Sequence, residues 1–158
     1  MNSVLLDTSF LISLSDPGRP NHTTAVKYYK ECIARQVPML LSTIVISEYS
    51  VRQPINDLPL RNFIVLPFNV DHAMACGLLI RDAGRDPGDD RIRIKDDYKL
   101  IAQCQCDGVS LVLTEDASSL TKYLDRQRGL GRVEARCVLL RDGFDVSWFN
   151  NGQARLVP

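Results

Sequence analysis

Apolar and polar positions along the chain follow two rhythms. Short apolar runs, "SVLL" at residues 3–6, "PMLLS" at 38–42, "NFIVLPF" at 62–68, "VSLVLT" at 109–114 and "EARCVLL" at 134–140, have the length and composition of strands, the first of them buried. Between them the apolar residues spread to helical spacing. Residues 8–14 read as a helical turn or two that stops before the breakers "DPGRPN", and "HTTAVKYYKECIARQ" as a longer helix capped at Asn21 or Thr23 with Val26, Tyr29, Ile33 and Ala34 inward. "TIVISEYSV" predicts a helix from Thr43, and "VDHAMACGLLIRD" another, capped by Asn69 or Asp71. "IKDDYKLIAQCQCDG" predicts a helix with Leu100, Ile101 and Cys104 as its buried stripe, and "DASSLTKYLDRQRG" one with Asp116 at its start. One stretch, "AGRDPGDDRIR" at 83–93, has a loop's composition and reads either as a flexible lid or as a solvated connection.

Strands that alternate with helices predict a mostly parallel sheet of about five strands covered on both faces, a three-layer α/β/α sandwich. In such a sheet every strand-to-helix junction lies on the carboxyl edge, where open α/β folds place their ligands. Asp7 ends the first strand, Asp116 follows the fourth, and Glu48 lies about a turn and a half into the helix after the second. Asp96 and Asp97 come to the same edge from the start of a crossover helix that runs back along the sheet. Each acid alone is explained as a cap, a first-turn residue that suits the helix dipole, or a solvated side chain. Together they repel one another and raise one another's pKa unless a cation sits between them. Hard oxygen ligands without accompanying Cys or His suit Mg²⁺ or Mn²⁺, and paired carboxylate-held ions are the chemistry of nucleases and phosphatases.

With 158 residues, of which 45% are hydrophobic, the chain is long enough for a single domain with a sizeable core. Its 19 basic and 19 acidic residues cancel, so bulk charge neither predicts nor excludes a nucleic-acid partner. Five cysteines without a CxxC pair fit reduced thiols better than a disulfide framework, and His22 and His72 read as surface residues at helix starts and not as zinc ligands. The absence of a leader pattern and of a membrane-spanning run predicts a soluble, cytoplasmic protein with no membrane partner.

Over residues 3–142 the ordered motifs resemble the PIN-domain ribonucleases, a family that includes the toxin halves of bacterial VapBC toxin–antitoxin pairs. "VLLDTSFLISL" is similar to the family's opening strand and first aspartate, and "LSTIVISEYSV" to the segment that carries its glutamate. "KDDYKLIAQCQCDGVSLVLTED" resembles the D-x-x-x-x-A helix followed by a small-residue turn, a strand and T-x-D. The resemblance implies a PIN-like fold, with residues 1–142 as the nuclease domain and 143–158 as a C-terminal extension packed on it. It further implies a Mg²⁺- or Mn²⁺-dependent endoribonuclease whose catalytic metal ligands are Asp7, Glu48, Asp97 and Asp116, with Asp96 as the alternative to Asp97. Ser9 and Thr114 would support them. The implied partners are an RNA substrate and an antitoxin protein or a second copy of the chain. Ser118 and Ser119 stand where such toxins often carry a further acid and an aromatic residue.

Phosphate contacts call for cations near the rim, and Arg91, Arg93, Lys95 and Lys122 are the candidates; the alternative is surface charge that balances the acids. Between Ser118 and Arg141 six cations face two acids, a local excess that suits nucleic acid or an acidic partner. Trp148 and Phe149 read either as residues folded back on the core or as a dimer or antitoxin contact. The reading from another class is a non-catalytic domain of the same fold that binds RNA or protein. The presence of all four acids argues against it. A haloacid-dehalogenase-like phosphohydrolase needs an aspartate where Ser9 stands.

Overall fold

The structure is a computed structural model, and it describes residues 2–150. Five strands, β1 (Val4–Leu6), β2 (Met39–Ser42), β3 (Ile64–Leu66), β4 (Leu111–Thr114) and β5 (Arg136–Leu139), form one sheet in the order β3-β2-β1-β4-β5. All pairings are parallel. Six helices connect or cover them: α1 (Thr8–Ser15), α2 (His22–Ala34), α3 (Thr43–Ser50), α4 (Val70–Ala83), α5 (Arg91–Asp107) and α6 (Leu120–Gly129). Right-handed crossovers put α1 to α3 on one face and α4 to α6 on the other, because the chain steps outward from β1 to β3 and then returns to β4. Most helix contacts follow that division, α1 against α2 and α3, α5 against α4 and α6, and a smaller one joins α3 to α5 across it. The expected α/β/α sandwich is thus present, with every strand parallel.

β1 is central and wholly buried, as are all four residues of β4. These runs carry no polar side chain before their last residues, since both faces are covered by helices. The reversal of strand order falls between β1 and β4, and the register that pairs Leu6 with Leu113 sets Asp7 beside Thr114. Asp7 N–H extends the ladder by donating to Leu113 C=O at 3.1 Å. At such a switch point the flanking crossovers diverge to opposite faces and leave a crevice.

Several local expectations shift. In α2 the inward face is Ala25, Tyr28 and Cys32, one position before the predicted stripe; Val26 and Tyr29 are half-buried, and Ile33 and Ala34 are exposed. The tyrosine pair made both registers apolar, and Tyr28 won the interior. α5 begins at Arg91, because Asp90 caps it by accepting from Ile92 N and Arg93 N at 2.9 and 3.0 Å. The loop is therefore shorter than 83–93, and Arg91 and Arg93 lie in a helical first turn. His72 is buried, not a surface residue; its Nδ1 accepts from Asn69 N in a capping box and its Nε2 lies 2.5 Å from Asp107 Oδ2. None of the five cysteines is paired in a disulfide.

Residues 143–150 return over α2. The Phe144 and Phe149 rings lie 4.9 and 6.1 Å from that of Tyr28, whose hydroxyl donates to Gly143 C=O and accepts from Asp145 N. Trp148 packs half-buried against the core. The rest of the expected extension, residues 151–158, lies outside the described residues.

One buried polar pair fastens the two halves of the sheet's covering. Ser42 caps α3 by accepting from Ile44 N at 3.1 Å and donates to Gln103 Oε1 of α5 at 2.5 Å, while Gln103 Nε2 donates to Leu66 C=O. Both side chains are wholly buried. Ser42→Ala removes a cap and strands a buried acceptor, so an expected loss of about 1–3 kcal/mol is to be read from the urea midpoint at unchanged slope.

Candidate active site

Asp7 occupies the N-cap position of α1, yet its side chain makes no capping hydrogen bond. Its Oδ2 instead accepts from Thr114 Oγ1 at 2.7 Å and from Ser9 Oγ at 2.9 Å. Capping alone therefore does not explain Asp7. Thr114 and Ser9 also hold the next residues of the chain in place: Thr114 Oγ1 accepts from Asp116 N at 2.9 Å and Ser9 Oγ from Glu115 N at 2.8 Å. Glu115, which sequence reasoning passed over, accepts from Ser13 and from Asn21 and so fixes the turn after β4 against α1 and α2.

Asp116 does not stand at the start of α6 as expected: that helix begins at Leu120 with Ser119 at its N-cap position, and Asp116 closes the turn before it. Its Oδ1 accepts from Ser118 N and Ser119 N at 3.0 and 2.9 Å in the turn ahead of α6, and its Oδ2 pairs with Arg93 Nη2 at 2.9 Å. Glu48, half-buried on α3, accepts from the hydroxyl of Thr8. Asp97, only 8% exposed in the second turn of α5, accepts from the hydroxyl of Ser119. Thr8 and Ser119 were missed as partners. The signal available for Ser119 was its place in the turn just after "TED", three residues from Asp116.

The four carboxylates influence one another. Burial raises the pKa of Asp7 against the bonds from Thr114 and Ser9, and Asp116 pushes it further up. Burial likewise raises Glu48, with Asp7 and Asp96 adding to the shift. Asp97 is pushed up to about 7 by burial and by the charges of Asp116 and Asp7, with Ser119 and Arg93 opposing. Asp116 alone goes down: burial works against its charge, but the Ser119 backbone bond and Arg93 outweigh it. Three acids reluctant to ionise around one ionised acid is the electrostatic signature of a site short of positive charge.

Their donor chemistry fits Mg²⁺ or Mn²⁺, being all carboxylate and hydroxyl oxygen. Among the described residues, no three His, Cys, Asp or Glu side chains are grouped closely enough to enclose an ion as they stand. Asp96 is half-buried, paired with Lys99 at 3.1 Å and felt by Glu48, whereas Asp97 is the acid of that pair coupled to Asp7 and Asp116.

The cations divide. Arg91 and Lys95 are exposed on the first turns of α5. Lys122 is tied to Asp89 and Asp86 at 2.6 and 3.2 Å, and Arg126 to Asp86 at 2.8 Å; both stack on the Tyr123 ring at 4.9 and 4.8 Å. Tyr123 Oη also accepts from Asp86 N at 2.9 Å. These contacts fasten the loop before α5 to α6, which favours the connection over the flexible lid. Arg132 pairs with Asp82. The basic excess after Ser118 is thus partly answered by acids from α4 and the loop.

Searches with the sequence against protein-family models and curated proteins find no match. Solved structures do match. VapBC2 of Rickettsia felis, solved bound to a DNA fragment from its promoter, superposes with a TM-score of 0.57 at 12% identity, covering 85% of this chain and 97% of that one. VapC20 of Mycobacterium tuberculosis, a toxin that cleaves the sarcin–ricin loop, gives 0.55 at 22% identity, with 85% and 99% covered. DNA-bound VapBC of Salmonella typhimurium gives 0.52 at 15%, with 89% and 99% covered. The chain has the fold of the VapC toxins over nearly their whole length.

Proposed function

We propose that this chain is a divalent-metal-dependent endoribonuclease, the toxin of a toxin–antitoxin pair. The observation that carries the reading is the coupling of Asp7, Glu48, Asp97 and Asp116 around the β1–β4 switch point, each held by a hydroxyl or backbone donor: Asp7, Glu48 and Asp97 are reluctant to ionise, while Asp116 is answered by Arg93. The fold shared with a toxin that cleaves the sarcin–ricin loop supports RNA as the substrate class, and the VapBC complexes support an antitoxin as partner. A second copy of the chain is a further partner consistent with the reading.

In this reading Asp7, Asp97 and Asp116 hold Mg²⁺ or Mn²⁺, with Glu48 completing the set. The ion would supply a more acidic water and take up charge on the phosphate. Ser9 and Thr114 keep the Asp7 carboxylate turned toward the crevice, and Ser119 does the same for Asp97. Arg91 and Lys95, exposed on the first turns of α5, are candidate contacts for phosphates farther along the RNA. The register of β1 against β4 sets Asp7 beside Thr114, and the short turn after β4 brings Asp116 within reach, whereas Glu48 and Asp97 are brought in by α3 and α5. Among the described residues no helix is long and apolar enough to cross a membrane.

The test is cleavage of structured and single-stranded RNA in Mn²⁺, Mg²⁺ or EDTA. Cleavage of RNA in Mn²⁺ or Mg²⁺ that stops in EDTA is expected. Binding of RNA without cleavage under every condition would favour the non-catalytic module, and cleavage that persists in EDTA would remove the metal from the account.

A further inference from the structure

Arg93 is placed unlike the other cations of the rim. Asp90 fixes its backbone in the first turn of α5, and the preceding loop is fastened to Lys122, Arg126 and Tyr123, so the helix start is held. The guanidinium then reaches Asp116 Oδ2 at 2.9 Å and also feels the charges of Asp97 and Asp7. The two partners are unequally enclosed: the Asp116 side chain is 8% exposed, that of Arg93 58%. Asp116 does not depend on Arg93 for its orientation, since backbone N–H groups of Ser118 and Ser119 already hold Oδ1. Arg93 therefore enters the acid cluster from solvent and is able to leave it by side-chain rotation alone.

We propose that Arg93 is an exchangeable counter-ion built into the chain: it occupies Asp116 while no metal is bound, is displaced when a divalent cation takes that carboxylate, and then turns onto a phosphate of the RNA. The proposal rests on the nuclease reading and deepens it. A guanidinium suits both roles, because its planar donors match carboxylate and phosphate alike. The exchange links metal loading to substrate capture: the group released by the first is the donor needed for the second.

Calorimetric titration of Mn²⁺ into the metal-free protein, with circular dichroism to verify folding, separates the outcomes. Arg93→Gln is expected to bind Mn²⁺ about tenfold more tightly than wild type, since removal of a competing charge at contact range is worth on the order of one decade in affinity. Its kcat/KM on RNA is expected to fall by about 10²-fold. Arg91→Gln, which removes the same charge from the same turn, is expected to leave Mn²⁺ affinity within about twofold of wild type. Unchanged or weaker binding by Arg93→Gln, or equal tightening by Arg91→Gln, would overturn the exchange while leaving the nuclease reading intact. A wild type that binds no Mn²⁺ would instead remove the metal site itself, and this proposal with it.

Discussion

Replacement of Asp7 by asparagine is expected to lower RNA cleavage by about 10³-fold or more while leaving the metal-free fold as stable as wild type, or more so. The two effects have one cause. Asp7 is a buried carboxylate whose charge is disfavoured by desolvation and by Asp116. An asparagine oxygen placed at Oδ2 can still accept from Ser9 and Thr114, so the packing at the β1–β4 junction is retained and the electrostatic penalty is removed. The carboxylate's only advantage is then to a bound cation. Rate measurements together with urea denaturation in EDTA check both halves, and a variant that loses stability as well as activity would make Asp7 a structural residue.

The second large effect is on pH. Asp97 titrates near 7 in the folded protein against an ordinary value of 3.8, because burial and two neighbouring carboxylates oppose its charge. A raised acid binds its proton more tightly when folded than when unfolded. Stability of the metal-free protein is therefore full below the unfolded value and falls as pH rises from about 4 to about 7, with a ceiling of roughly 4 kcal/mol at 1.36 kcal/mol per unit. Asp7 and Glu48 are shifted in the same direction and add to the trend. Asp116 is shifted down, so its contribution has the opposite sign and lies below about pH 4, outside this window. Asp97→Asn is expected to flatten the fall, and saturating Mn²⁺ to reverse much of it in wild type, since a ligand bound only by the folded state stabilises it. Urea midpoints at pH 5, 6, 7 and 8 measure this; a wild-type profile flat across that range would show that Asp97 ionises freely.

The framework of this account was legible in the sequence because it depends on runs and order. "SVLL" and "VSLVLT" read as strands from their short apolar runs, and parallel strands joined by helices oblige Asp7 and Asp116 to share an edge. What one sequence did not show depends on relative rotation and on partners distant along the chain. The inward face of α2 turned on which of two adjacent tyrosines was buried, and the difference is set by residues 143–150 closing over Tyr28. The start of α5 turned on whether Asp90 or a later residue capped it, in a stretch where several aspartates qualify. His72 is buried because Asp107, 35 residues away, receives it. Within the site the acids were visible through their strand ends, whereas Ser119 and Thr8 were not, because a hydroxyl's partner is fixed only once α5 and α3 are docked. Arg93 was visible as a cation near the rim; its seat on Asp116 was not.

The central claim is that four carboxylates from four segments hold a divalent cation at the β1–β4 switch point. The most direct measurement is an anomalous difference map from crystals of the protein soaked in Mn²⁺. A peak among Asp7, Asp97 and Asp116 with Glu48 facing it is the expected result; a map with no peak there, or with Mn²⁺ held only elsewhere, would contradict the account.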